Sequence, residues 1–167
     1  MTSTGLRDLD PQEWTKTREL LRRVSVAFLA LVDHGRPYVV PLNFAYEPGD
    51  GPASSADNHP GRLVFHTGVG RKTAALETNP HVCVAVSADE NFVQGATPCN
   101  DGFSFRSVLV EGRTTLLKDP DERDRALRAI VTKHDPEGAG KPFKEEVLAR
   151  TLVYAVEIET VSYRELH

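Results

Sequence analysis

The feature that most constrains this chain is the shortness of the gaps between its β-type runs. "SVAFLALV" and "RPYVVPLNFAY" are separated only by Asp33-His34-Gly35, a polar stretch whose glycine can take the positive φ of a hairpin turn. "GRLVFHT", "HVCVAVSA", "FSFRSVLVEGRTTLL" and "LVYAVEIETVSYREL" follow, giving about six strands. Parallel neighbours need a crossover of a dozen residues or more, and most of these connections have no room for one. The expected fold is therefore mainly β: an antiparallel barrel with peripheral helices, in which the sheet closes on itself to bury its faces.

Helices are signalled at two places. Asp10-Pro11-Gln12-Glu13 supplies an N-cap, a proline at the first helical position and a carboxylate at the third, predicting a helix to about Arg23. Asp119-Pro120-Asp121-Glu122 repeats the device ahead of Ala126, Leu127, Ile130 and Val131, predicting a helix from Pro120 to about Lys133. "EPGDGPASSADNHPG" and "ENFVQGATPCNDG" read as loops, the first a candidate lid over residues 47–61. No repeat or boundary divides the 167 residues, so one domain over 1–167 is expected.

Charge excludes some functions. A formal net charge of −4 leaves no global positive field for nucleic acid or an anionic membrane. The longest apolar run, Val26 to Val32, is too short to span a bilayer, and the N-terminal stretch lacks the pattern of a signal peptide; a cytoplasmic protein is expected. Cys83 and Cys99 form no CxxC pair and stand at no metal-ligand spacing, so no metal site is expected. Cys83 reads as a buried inert thiol, Trp14 and Phe28 read as core, and Glu111 and Arg113 as cross-strand partners.

One stretch asks for more than structure. In "FHTGVGRKTAALETNP" a strand from Arg62 to Thr67 and a helix from Arg71 to Thr78 would flank a Gly68-Val69-Gly70 turn. Unpaired N–H groups at the helix start, the positive end of its dipole and the Arg71-Lys72 pair would suit a phosphate. Two cations facing solvent is the competing reading. The spacing matches neither a P-loop nor a dinucleotide fingerprint, and a phosphate held on a barrel points to a mononucleotide such as FMN.

"VAFLALVDHGRPYVVPLNFAY", "LVFHTGVGRKTAALETNPHVCVAV" and "FSFRSVLVEGRTTLLKDPDERDRALRAIV", in this order, resemble the split β-barrel flavin-binding proteins of the pyridoxamine 5'-phosphate oxidase-like superfamily, in its nitroimidazole-resistance (Nim-type) branch. The resemblance implies an FMN-binding split barrel of antiparallel Greek-key type, acting as a homodimer with the cofactor at the subunit interface. It implies that Gly70, Arg71 and Lys72 hold the phosphate, that Pro41, Leu42 and Asn43 run along the flavin ring, and that Arg106 and Ser107 reach the flavin or its phosphate. His66, with Thr67 where the branch more often has glycine, becomes the candidate proton donor, substrate contact or haem ligand. The implied function is an FMN-dependent oxidoreductase acting on a small molecule such as a nitroaromatic compound, with NADH or NADPH as electron donor. A non-catalytic flavin carrier, a haem-binding or haem-degrading protein, and a deazaflavin binder remain as alternatives.

Overall fold

A computed structural model describes residues 9–49 and 60–166. The chain forms helix α1 (Pro11–Arg23), strands β1 (Val26–Asp33), β2 (Arg36–Asn43), β3 (Ala45–Glu47) and β4 (Arg62–Thr67), helix α2 (Arg71–Thr78), strands β5 (His81–Val93) and β6 (Gly102–Leu116), helices α3 (Pro120–His134) and α4 (Glu145–Leu148), and strand β7 (Leu152–Leu166). The seven strands make one antiparallel sheet in the order β2-β1-β5-β6-β7-β4-β3. Its two edges, β2 and β3, are consecutive in the chain and separated only by Phe44. A sheet whose edges are tied by one residue must curl until they meet, and this makes the barrel.

Local chemistry sets the elements. The Asp10 carboxylate accepts from the backbone N–H groups of Gln12 and Glu13 at 2.7 and 2.8 Å, and Glu13 accepts from Asp10 N–H at 3.1 Å, so the capping box forms as the sequence predicts. Asp119 accepts from Glu122 N–H at 2.8 Å at the start of α3. Between β1 and β2, His34 and Gly35 have φ of 49° and 75°, so both central turn residues are left-handed, which suits the twist of a tight hairpin.

Two cores result. Leu29, Leu31, Phe44, Leu63, Phe65, Val84, Val110 and Val156 fill the barrel, joined by Trp14, Leu20 and Leu21 of α1. Val64, Val153 and Ala155 point the other way from β4 and β7 and pack on Ala126, Leu127 and Ile130 of α3. Alternate residues of one strand thus serve both cores.

Some expectations change. The run "RPYVVPLNFAY" is two strands, because Phe44 turns inward between them at 1% exposure. Glu90–Val93, expected as loop, continues β5 past a bulge at which Asp89 has φ of 62°. Phe28, expected in the core, is 50% exposed, because Ala27 and Leu29 take the two inward positions around it. Cys83 is half-buried rather than buried, and burial together with the nearby Glu111 raises its thiol pKa. Most of the 47–61 segment, and His59 with it, lies outside the described residues.

Candidate functional site

The site candidate is the turn from β4 into α2. Strand β4 lies between β3 and β7, and its Leu63 and Phe65 anchor it in the barrel core. This fixes where Thr67 ends the strand and where α2 must begin. Thr73, buried at 3% exposure, accepts from Gly70 N–H at 3.0 Å and donates to Gly70 O at 2.8 Å, which closes the first turn of α2. The next N–H groups of a helix have no intrahelical acceptor and point out along its axis.

Gly68 and Gly70 keep the space before those donors open: a Cβ added at either would meet nothing within 4 Å. Neither has a left-handed φ, so backbone strain does not call for glycine there; Gly70 is extended at φ 170°. Openness is what the two glycines preserve.

The Arg71 guanidinium is held on two sides. Its Nε donates to Asp33 Oδ2 at 2.6 Å, and its Cζ lies over the Tyr38 ring, 4.1 Å from the centroid. Asp33 ends β1 and Tyr38 lies near the start of β2, so α2 opens against the turn end of the β1–β2 hairpin. The paired Arg71, and then His34, hold the Asp33 carboxyl below its ordinary pKa. Lys72 is half-buried, with Nζ 5.8 Å from the Phe65 ring centroid, and burial lowers its pKa. No carboxylate pairs with Lys72 among the described residues.

His66 alternates with Phe65 and lies on the outer side of β4, in register with Val153 of β7. It remains accessible to solvent, yet the surrounding protein, and then the charge of Lys72, lower its pKa from 6.5. The imidazole is therefore neutral at pH 7, which makes it a proton acceptor or metal ligand before it is an acid. Thr67 donates its hydroxyl to Gly68 O at 3.1 Å.

The other predicted residues fall elsewhere. Pro41, Leu42 and Asn43 lie further along β2, an edge strand with one row of backbone groups outside the β1 ladder. Leu42 packs on the barrel core and the Asn43 side chain donates to Ser25 O at 3.0 Å, which leaves backbone as what this segment offers a ligand. Arg106 is in register with Ala88, toward the opposite end of β5 from His81, and is committed to Asp89 at 2.6 Å with Glu19 at 3.6 Å. Ser107 is opposite Ser87. Within the chain, then, Arg106 and Ser107 are not in the Arg71 cluster. Sequence reading missed Asp33 and Tyr38, which carry no motif and reach Arg71 only through the fold.

The outer face of β2, β1, β5 and β6 is largely apolar and, among the described residues, uncovered. The register aligns Pro41, Phe28, Ala85 and Leu109 in one row, and Val39, Ala30, Cys83 and Glu111 in the next. Phe28, Val39 and Leu109 are exposed, as are Val26 and Val32 on the same face of β1. A cleft of about 580 Å³ opens there between Val32, Pro37, His81, Cys83, Glu111 and Glu159. Glu111 accepts from the Thr160 hydroxyl at 2.7 Å, while Arg113 is opposite His81 and Glu157. No helix among the described residues is long and apolar enough to cross a membrane.

Comparison with known proteins agrees with this architecture. Residues 13–165 match the pyridoxamine 5'-phosphate oxidase family model. Among solved structures, a proposed 5-nitroimidazole antibiotic resistance protein from Bacteroides thetaiotaomicron superposes with a TM-score of 0.71 at 22% identity, covering 89% of this chain and 81% of its own. An FAD and heme binding protein from Mycobacterium smegmatis gives 0.76 at 22% identity, over 90% and 70%. An FAD-binding protein from Mesorhizobium loti gives 0.63 at 29% identity, over 95% and 96%. No curated protein sequence matches the chain. With the sheet order, the curled sheet and the family match over nearly the whole chain in agreement, the chain belongs to the pyridoxamine 5'-phosphate oxidase-like split-barrel family.

Proposed function

We propose that this protein binds a flavin through its phosphate at the α2 N-terminus, with FMN as the cofactor, and works as a homodimeric FMN-dependent oxidoreductase. The observation that carries the reading is that Arg71 and Lys72 both stand in the first turn of α2, directly after a turn in which a Cβ on Gly68 or Gly70 would meet nothing within 4 Å. These residues fit a phosphate ester: the Nη edge of Arg71 remains for two parallel hydrogen bonds, Lys72 adds a point charge, and the helix start adds N–H donors. Flavin-binding proteins among the similar structures support the same reading.

When bound, the flavin would supply the redox chemistry, accepting electrons from a donor such as NADH or NADPH and passing them to a small-molecule acceptor. The chain's own part is binding and orientation. Backbone of Pro41 to Asn43 on the exposed edge of β2 would line the ring, and neutral His66 would take up a proton at a ring nitrogen. The apolar face around Phe28 would seat the second protomer, whose Arg106 and Ser107 could approach the site that the first protomer's own do not reach. A nitroaromatic acceptor is the finer expectation, supported by the likeness to the Bacteroides protein.

His66 favours one second reading. A neutral, solvent-accessible imidazole is a competent axial ligand, and a haem-binding protein is among the similar structures. Absorption spectra of the protein with FMN and with haemin decide between them. Flavin bands retained through desalting, followed by NADH or NADPH oxidation that quickens with a nitroaromatic acceptor, support the proposal. A Soret band lost in His66→Ala, with no FMN retained, refutes it; retained FMN without turnover leaves a flavin carrier.

A further inference from the structure

The Arg71 side chain is 60% accessible, and an arginine at that exposure carries rotamer entropy that a phosphate contact must overcome. In this chain two contacts already restrict that freedom. Asp33, by contrast, is a well-fixed partner, with a side chain only 13% accessible. Its Oδ2 accepts from Arg71 Nε at 2.6 Å, and His34 Nδ1 lies 2.7 Å from its Oδ1, so both carboxylate oxygens are engaged. Tyr38 supplies a flat surface on which the guanidinium lies at 4.1 Å.

With Nε committed to Asp33 and Cζ seated over the Tyr38 ring, the donors left to Arg71 are those of its Nη groups. We propose that Asp33 and Tyr38 are positioning residues that aim the Nη edge of Arg71 at the phosphate; this rests on the phosphate reading above. The arrangement has a cost that makes it informative. A carboxylate close to an anion site repels the anion, so if Asp33 were a mere neighbour, its removal would strengthen phosphate binding. If it orients Arg71, its removal weakens binding, because the guanidinium must then be ordered by the ligand itself.

The same logic separates a ring from bulk at position 38. Leucine keeps most of the apolar volume and has no π face, whereas phenylalanine keeps the face and loses only the hydroxyl. A residue that only clips the hairpin to α2 would affect every ligand of the barrel alike.

The experiment measures dissociation constants of FMN and of riboflavin, which lacks the phosphate, for the full chain and for Asp33→Asn, Tyr38→Leu, Tyr38→Phe and Arg71→Ala. The expected result is FMN binding weakened about tenfold in Asp33→Asn and a few-fold in Tyr38→Leu, with Tyr38→Phe like wild type and riboflavin unchanged throughout. Unchanged or tighter FMN binding in Asp33→Asn, or parallel losses for FMN and riboflavin, overturns the positioning role. If Arg71→Ala itself leaves FMN binding intact, the phosphate reading fails, and this outcome is distinguishable from failure of the positioning role alone. Melting temperatures of each variant identify any that fail to fold, and the Tyr38 pair keeps the test decisive should Asp33→Asn be one of them.

Discussion

Truncating Phe28 to alanine should break the proposed homodimer. Phe28 is 50% exposed and sits mid-face, flanked in register by Pro41 and Ala85, with Leu109 beyond and Val26 on its own strand. Half of a phenylalanine surface of about 200 Å² is about 100 Å² of apolar area. At about 25 cal/mol per Å², covering it in a dimer contributes about 2.5 kcal/mol, of which the truncation removes about 2. A two-fold interface uses the residue twice, so Phe28→Ala should weaken the dimer by about 4 kcal/mol, roughly a thousandfold in dissociation constant. Sedimentation equilibrium over nanomolar to micromolar concentration measures this directly. A wild-type chain that stays monomeric at all concentrations, or a variant that dimerises as well as wild type, would refute the assignment of this face.

Backbone crowding and buried charge give further expectations. A Cβ at Gly112 would lie 2.1 Å from the backbone oxygen of Glu157 at the β6–β7 bulge, so Gly112→Ala should cost about 2–3 kcal/mol in denaturant unfolding. Gly68→Ala meets nothing within 4 Å and should leave stability unchanged within about 0.5 kcal/mol while weakening FMN, because the new methyl enters the space held open for the phosphate. The His66 imidazole should titrate below 6.5 in the free protein by NMR and move upward on saturation with FMN or inorganic phosphate, since a nearby dianion favours the protonated ring. Lys133, half-buried against Phe44 and donating to Leu21 O at 3.0 Å, has its pKa lowered from 10.5 to about 8. Between these two values the unfolded chain holds a proton that the folded chain has released, so this residue's contribution to stability rises with pH across that window and is flat below it. The rise should be no more than about 3.4 kcal/mol and absent in Lys133→Met, as read by urea unfolding at each pH.

Much of the fold was legible because its signals are local. Asp10-Pro11 and Asp119-Pro120 cap the helices they begin, and Asp33-His34-Gly35 turns the hairpin it bounds. What was not legible depends on partners distant in sequence. Phe28 alternates with Ala27 and Leu29, and only the curl of the sheet decides that the small alanine faces inward and the phenylalanine outward. Phe44 reads as one more strand residue, yet it is where the two edges of the sheet join.

The site divides in the same way. Gly68, Gly70, Arg71 and Lys72 are close neighbours in the chain, and their spacing relative to the end of β4 and the start of α2 could be read directly. Asp33 and Tyr38 come from a hairpin that only the tertiary fold brings to Arg71. Arg106 was placed by resemblance alone, and in the protomer it is bonded to Asp89 and directed toward α1 through Glu19.

The central claim is that the α2 N-terminus and its two cations hold a flavin phosphate. Its most direct test is the ratio of FMN to riboflavin dissociation constants in wild type and in the Arg71→Ala/Lys72→Ala double variant, measured by flavin fluorescence quenching. Removing both cations takes away two charge-assisted interactions with the phosphate, which should weaken FMN by about a hundredfold or more and leave riboflavin unchanged, so the phosphate advantage disappears. An FMN preference that survives the double substitution would place the phosphate elsewhere and contradict the account.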